Sequence, residues 1–171
     1  MCKFRKVDFT ANPLTLEELC FIGDCIKTYA KYFQDDFALV PKNIFEIPQI
    51  LPKNFWLISN FHNKPMGFVY LDNFIGNKNR LYSAELTTCF AKYAWGDFTK
   101  YSAKIFLKKC FDEFGLDKIK AQIYPDNFRV KQLLKSCGFA YESTLKKETL
   151  RKGKPQDIEV YGLYRNYYYK K

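Results

Sequence analysis

An apolar stripe in residues 99–114 is the feature that most restricts how this chain folds. Apolar residues recur there at intervals of three and four, at Ala103, Phe106, Leu107, Cys110, Phe111 and Phe114. That spacing places them on one face of an α-helix, and lysines occupy the other faces. Alternating patterns typical of strands precede and follow the helix, in residues 82–91 and 118–124. The pattern predicts an α+β fold in which helices flank a mixed sheet.

The other predicted elements follow in a regular order. Thr15 and Glu18 form a capping box that opens a first helix, and Gly138 closes a helix that begins at Asp126 or Asn127. Residues 33–53 contain three prolines and predict a short helix or loop. Further strands are predicted at 3–9, 55–59, 66–71, 139–150 and 158–165. We therefore expect one domain over residues 1–171, with a sheet of about seven strands and about four flanking helices.

Charge is the most conspicuous property of the composition. The chain carries 28 Lys and Arg against 18 Asp and Glu, for a formal charge of +10. This balance points to an anionic partner, but only five of the basic residues are Arg, the residue that nucleic-acid readers favour. Nucleic acid is therefore a possible but not a favoured partner, and a Lys-rich composition without a recognition role is the alternative. The 17 Phe and 13 Tyr exclude a disordered chain.

Cysteine and histidine give no sign of a metal centre. The six cysteines form no CxxC pair and there is a single histidine, so we expect no metal cofactor. We interpret Cys20, Cys110 and Cys137 as small core residues. The chain shows no signal-peptide pattern and no apolar run near the ~20 residues of a membrane span. These patterns predict a cytoplasmic protein without membrane association.

The most specific motif lies in the second half of the chain. It reads Asn127-x-x-Val130-x-x-Leu133-Leu134-x-x-x-Gly138-Phe139-x-x-Glu142-x-x-Leu145-Lys146, and it continues as Gly153-x-x-x-Asp157-x-x-x-Tyr161-Gly162-Leu163. This array resembles the GNAT superfamily of acetyl-CoA-dependent N-acyltransferases, in the branch that contains ribosomal-protein and aminoglycoside acetyltransferases. The resemblance covers residues 54–168, and the first 50 residues are compatible with it.

The resemblance implies that acetyl-CoA binds as a cosubstrate. In this family two parallel strands diverge near the middle of the sheet, and the pantetheine arm lies between them. Here the strand over residues 82–91 would supply that edge, and the helix from Thr99 would direct its free N–H groups at the pyrophosphate. The implied cofactor-binding residues are Cys89, Phe90, Ala91, Trp95, Gly96, Asp97, Phe98, Thr99, Lys100, Asn127, Arg129 and Lys131.

The pyrophosphate loop departs from the family pattern. Trp95 and Gly96 match the branch, but Phe98 replaces a central glycine and Lys100 replaces a small residue. Glycine lets backbone approach a phosphate closely, and Asp97 adds a negative charge nearby. Either Lys92 and Lys100 compensate, or CoA binds weakly or not at all. The alternative to an enzyme is a GNAT-fold module that binds or scaffolds without catalysis, of the kind found in phage and mobile elements.

Acetyl transfer to an amine needs a proton acceptor and a donor for the oxyanion. We assign Glu85 as the candidate catalytic base; the alternatives are an exposed strand residue or an ion pair with a nearby lysine. The family often places a tyrosine seven residues after the motif asparagine, and Leu134 stands there instead. We interpret Glu142 as a structural residue, Asp157 as the anchor of a β-hairpin and His62 as a solvated turn residue.

These observations predict an enzyme, an N-acetyltransferase that moves an acetyl group from acetyl-CoA to a primary amine by direct attack. The acceptor amine is not identified by the sequence, and we expect a monomer or homodimer. Two alternatives stay open: the GNAT-fold module without catalysis, and an acetyltransferase that acts on tRNA.

Overall fold

The computed structural model describes residues 1–8, 10–33, 41 and 43–170. No helix in this described part is both long and apolar enough to cross a bilayer. The α-helices are α1 (Leu16–Tyr29), α2 (Ile47–Ile50), α3 (Asp97–Asp112), α4 (Phe128–Cys137) and α5 (Arg165–Tyr168). The strands are β1 (Cys2–Lys6), β2 (Phe55–Asn60), β3 (Pro65–Gly76), β4 (Leu81–Phe90), β5 (Lys118–Ile123), β6 (Ala140–Arg151) and β7 (Lys154–Tyr164).

The predicted order of elements is confirmed, and the differences lie at the ends of elements. Helix α3 begins at Asp97, two residues before the predicted start, and β3 runs on to Gly76. The short helix α5 was not predicted. In the predicted helix or loop of residues 33–53, Ile44–Glu46 forms a 3₁₀ turn that leads into α2. Residues 34–40 and 42 of that segment, and Phe9 at the predicted end of the first strand, lie outside the described residues.

The seven strands form one mixed sheet in the order β1-β2-β3-β4-β5-β7-β6. Strands β4 and β5 are parallel, and their register places Ser83–Glu85 opposite Lys118–Lys120. Their pairing ends there, although β4 continues to Phe90 and β5 to Ile123. A parallel pair that ends in this way agrees with the divergence that the family resemblance implied.

Two compact units are distinguished, and the first comprises residues 1–70 and 88–99. Its helix α1 begins with the predicted capping box, in which the Glu18 N–H donates to the Thr15 hydroxyl and the Thr15 N–H donates to the Glu18 carboxylate. The buried face of α1 packs in a core with aromatic residues of β2 and β3. The rings of Phe55 and Phe68 stack there at 5.1 Å between centroids.

The second unit comprises residues 71–87 and 100–171. The predicted stripe of α3 is confirmed, because Phe106, Leu107, Cys110 and Phe111 are buried there. Helix α4 ends at Gly138, whose φ of +95° is the left-handed conformation that glycine tolerates. Burial also confirms the core positions of Cys110 and Cys137.

The prediction that Cys20 is a core residue is wrong. Cys20 is exposed on α1, whereas Cys25 is buried. The buried face of α1 is set by Leu19, Ile22 and Ile26. Cys20 follows Leu19 by one residue, which turns its side chain about 100° away from that residue around the helix.

Candidate active site

Glu85 lies in the middle of β4 and is 9% exposed. Among the residues that the structure describes, it is the only Asp, Glu, Lys or Arg in the buried class. Its Oε2 atom accepts hydrogen bonds from the Asn73 Nδ2 atom at 3.1 Å and from the Gln122 Nε2 atom at 3.0 Å. The carboxylate is therefore held by two neutral amides. The alternative of an exposed strand residue is excluded by this burial.

The strand register explains which groups surround Glu85. Its partner on β5 is Lys120, yet none of the ion pairs in the described part of the chain joins these two residues. Ile119 and Ala121 are buried on one face of β5, so alternation places Lys120 and Gln122 on the opposite face. Gln122 reaches the carboxylate from two positions further along β5. The ion pair with a nearby lysine, which was an alternative from the sequence, is therefore not present in the described structure. An amide is the partner of Glu85 instead.

Asn73 approaches Glu85 from β3, on the other side of β4. Its φ is +43°, a left-handed conformation inside a strand that asparagine tolerates better than most residues. Asn73 itself is exposed, and Gln122 is half-buried. The two donors therefore lie on the two strands that flank β4, an exposed Asn73 on β3 and a half-buried Gln122 on β5.

The end of β4 and the following turn belong to the first unit. The Ala91 N–H donates to the Met66 carbonyl at 3.0 Å, so it points toward β3. Because N–H directions alternate along a strand, the Phe90 N–H points away from β3. The Phe90 carbonyl accepts from the Trp95 indole N–H at 3.2 Å, which closes the turn. Both N–H groups were predicted to bind the cofactor. That of Ala91 is already hydrogen-bonded to β3, whereas that of Phe90 points to the opposite side of β4.

Cys89 packs inside the first unit rather than facing a ligand with its side chain. Burial raises the pKa of the Cys89 thiol well above its usual range, and a hydrogen bond with Cys25 adds to this effect. A thiol in these surroundings stays neutral, and so it is not a nucleophile. What Cys89 offers a cofactor is its backbone alone.

The residues predicted for the pyrophosphate form the start of α3. Gly96 has a φ of +102°, and no atom beyond its two chain neighbours lies within 4 Å of the position that a Cβ would take there. The Thr99 hydroxyl is buried and donates to the Ala94 carbonyl at 2.7 Å, which ties the first turn of the helix to the preceding turn. Asp97 is exposed and Phe98 is half-buried. The open backbone at Gly96 and the free N–H groups of the helix fit a phosphate group.

Lys100 follows on the same helix and is exposed, without a polar contact in the described part of the chain. An exposed ammonium one turn into a helix is free to reach an anion at the helix start. Lys92, the other basic residue considered for this role, is exposed in the 3₁₀ turn before the helix. Both lysines that the sequence analysis considered for compensation are therefore exposed.

The remaining predicted cofactor residues lie at the start of α4, in the second unit. Asn127 precedes the helix, and its side chain makes no capping hydrogen bond. Arg129 is exposed in the first turn. Lys131 is engaged instead with protein groups, since its ammonium lies 2.9 Å from the Glu159 carboxylate and 3.2 Å from the Pro125 carbonyl. The Lys131 ammonium is therefore occupied by protein groups, which its position in the sequence did not predict.

Three further interpretations from the sequence agree with the structure. The Glu142 carboxylate pairs with the Lys118 ammonium at 2.7 Å, which is a structural contact. Asp157 anchors the β6–β7 hairpin by accepting from the Lys147 N–H and pairing with Lys146. His62 is exposed in the turn between β2 and β3. None of these groups is in contact with Glu85 in the described residues.

Asn73 and Gln122 were missed by the sequence analysis. For Gln122 a signal existed, because the alternation of Ile119, Ala121 and Ile123 already placed it on the other face of the strand. For Asn73 no signal existed, since its contact depends on the register of β3 against β4.

Comparison with known proteins gives two consistent results and one negative one. A family model described as an acetyltransferase (GNAT) domain matches residues 34–140. No protein in a search of curated proteins matches the chain. Among solved structures, the spermidine N-acetyltransferase from Vibrio cholerae in complex with CoA and spermine is similar, with a TM-score of 0.77 at 21% identity over 98% of this chain and 97% of that chain.

Two related structures show the same similarity of fold. A chimera of the Vibrio cholerae enzyme SpeG and hSSAT has a TM-score of 0.72 at 23% identity, over 91% of this chain and 96% of that one. The spermidine/spermine N-acetyltransferase SpeG of Vibrio cholerae in complex with manganese ions has a TM-score of 0.72 at 21% identity, over 99% and 95% of the two chains.

Proposed function

The chain belongs to the acetyltransferase (GNAT) family, which uses acetyl-CoA to acetylate amines, and on that premise we propose that Glu85 is the base of its reaction. The observation that carries this assignment is the burial of Glu85 between two neutral amide donors. Among the described residues no hydrogen bond or ion pair involves its Oε1 atom. That atom is therefore able to receive a proton.

The reaction begins with an acceptor that is mostly protonated, because an alkyl ammonium has a pKa of about 10. Glu85 accepts the proton of the acceptor, directly or through a water molecule. The amine nitrogen then attacks the thioester carbonyl carbon and forms the new C–N bond. The electron pair of the C–S bond leaves with the CoA sulfur, and the second proton of the attacking nitrogen passes to solvent water. No tyrosine stands at Leu134 to protonate that sulfur, and a thiolate is stable enough to leave unaided at neutral pH.

We assign acetyl-CoA to the end of β4 and the start of α3. The Phe90 N–H is the proposed donor to the pantetheine arm or to the thioester oxygen, because it points away from β3. The first turn of α3, opened by Gly96, is the proposed phosphate site, with Lys100 and Lys92 as the nearby cations.

The acceptor is an amine, and its finer identity is a proposal. The structural neighbours named above are spermidine acetyltransferases, so spermidine is the first acceptor to test. A tRNA-linked amine and a peptide N-terminus are the other members of the test panel. The two alternatives from the sequence, a non-catalytic module and a tRNA acetyltransferase, have no observation in their favour among the described residues.

The test measures binding and transfer separately. A rise of the melting temperature with acetyl-CoA reports binding to the folded chain. Mass spectrometry of each amine then reports addition of one acetyl group. The proposal expects both results. Binding without acetylation of any amine in the panel would favour the non-catalytic module, and no thermal shift at millimolar acetyl-CoA would contradict the cofactor assignment.

A further inference from the structure

We propose that Asn73 and Gln122 are positioning residues that fix the orientation of the Glu85 carboxylate for proton transfer. The inference rests on the proposed function, which makes Glu85 the base. Both amides donate to the same oxygen, Oε2, at 3.1 and 3.0 Å. This arrangement leaves Oε1 as the oxygen that receives the proton.

We call the two amide side chains that hold the Glu85 carboxylate the clamp. Its members and Glu85 lie on three neighbouring strands. Glu85 is on β4, Asn73 is on β3 and Gln122 is on β5, and β3 and β5 are the two neighbours of β4 in the sheet. Donors on both sides of one oxygen restrict rotation of the carboxylate about its last bonds. A carboxylate that is already held in one orientation loses less rotational entropy on reaching the transition state of proton transfer.

The chemical type of the donors matters as much as their number. Lys120 is the register partner of Glu85 and would be the obvious partner, but no ion pair forms between them in the described structure. A lysine at the carboxylate would place a positive charge where an ammonium acceptor must approach, and like charges repel. Neutral amides orient the carboxylate without adding a positive charge of their own.

Burial gives the clamp a further role. A buried carboxylate loses hydration, and hydrogen bonds to a charged acceptor are stronger than those between neutral groups. A structural explanation therefore competes with the catalytic one, since the amides could serve only to satisfy a buried charge. The two explanations differ in what they predict for turnover in a fully folded variant.

The test replaces each donor by a residue of similar size. Gln122→Met keeps the volume and removes the donor, and Asn73→Asp keeps the shape and the tolerance of positive φ while replacing the donor with an acceptor. Gln132→Met and Asn79→Asp are matched controls, because both residues are exposed and their side chains make no contact in the described residues. Circular dichroism and acetyl-CoA affinity confirm that each variant is folded and binds its cosubstrate.

We expect kcat to fall ~10-fold or more in Gln122→Met, the scale on which a misplaced base loses efficiency, with acetyl-CoA affinity unchanged. Asn73→Asp should also lower kcat, because it removes the donor and places a second carboxylate beside that of Glu85, where like charges repel. Both controls should keep the parental kcat. In a Glu85→Gln background Gln122→Met should have no further effect on kcat, since residues that act as one unit are not additive.

Two outcomes overturn the proposal in distinguishable ways. If Gln122→Met and Asn73→Asp keep the parental kcat while Glu85→Gln loses it, the clamp is only structural and the proposed function stands. If Glu85→Gln itself keeps the parental kcat, the assignment of the base fails and the clamp proposal fails with it.

Discussion

Gly67 on β3 and Cys89 on β4 lie so close together that a Cβ on Gly67 would be 2.4 Å from the Cys89 carbonyl oxygen. The same Cβ would be 3.1 Å from the Phe90 Cα atom, so the obstacle is backbone that cannot rotate away. Gly67 therefore fixes how closely β3 approaches the strand that we assign to acetyl-CoA.

Gly67→Ala should destabilise the protein by about 3 kcal/mol, because two strands must separate to admit the methyl group. Gly162→Ala is the comparison, because the three atoms nearest to its Cβ would all belong to the Glu142 carboxyl group. That side chain can move at the expense of its pair with Lys118. We expect a loss of about 1 kcal/mol there. Urea unfolding measures both, and equal losses would show that the Gly67 contact is not a backbone constraint.

The Thr99 hydroxyl should shape the cofactor site as well as stabilise it. Thr99→Val removes the 2.7 Å hydrogen bond to the Ala94 carbonyl and leaves that carbonyl unsatisfied, a loss of about 1–3 kcal/mol in stability. The start of α3 then loosens, and the dissociation constant for acetyl-CoA should rise several-fold in calorimetry. Thr99→Ser should retain the affinity, and Thr28→Val on the exposed face of α1 is the control. If Thr99→Val binds acetyl-CoA with parental affinity, this hydrogen bond does not contribute to cofactor binding.

Lys120 should discriminate among acceptors by their charge. It is the register partner of Glu85 and has no ionic partner in the described residues, so a polycation that reaches Glu85 meets its repulsion. Lys120→Met should raise kcat/KM for spermidine roughly threefold relative to a monoamine such as butylamine. Lys135→Met, on the exposed side of α4, should leave the ratio unchanged. A ratio that stays constant in Lys120→Met would place Lys120 away from the path of the acceptor.

Asp8 should contribute to stability in mild acid. Hydrogen bonds from the Ala11 and Thr10 N–H groups and the Thr10 hydroxyl lower the pKa of Asp8 from 3.8 to about 2. Because the pKa is depressed in the folded state, the contribution is present above pH 3.8 and is lost as the pH falls through about 2. Asp8→Asn should flatten the dependence of the free energy of unfolding on pH across this range. An unaltered slope would contradict the assignment.

The fold was predictable from the sequence to a greater degree than the site. The stripe on α3, the capping box of α1 and the glycine after α4 are local patterns, and each gave the correct element. The apolar stripe predicts a start at Thr99, whereas the helix already begins at Asp97, outside the stripe. Cys20 was misplaced because one apolar residue beside a helical stripe does not define its face.

The place of Glu85 on a central strand was predictable, but its hydrogen-bond partners were not, and the reason is physical. The partners of a strand residue depend on the register between strands that are distant in the sequence, and one sequence does not contain it. Lys131 illustrates the same point. Its position favoured a phosphate contact, but the register of β7 brings Glu159 within reach and forms an ion pair instead.

Turnover of Glu85→Gln with saturating acetyl-CoA and saturating amine tests the central claim most directly. The substitution keeps the shape of the side chain and removes its capacity to accept a proton. We expect kcat to fall about 100-fold or more, the contribution of a general base, with the affinity for acetyl-CoA unchanged. Parental kcat in folded Glu85→Gln would contradict the account.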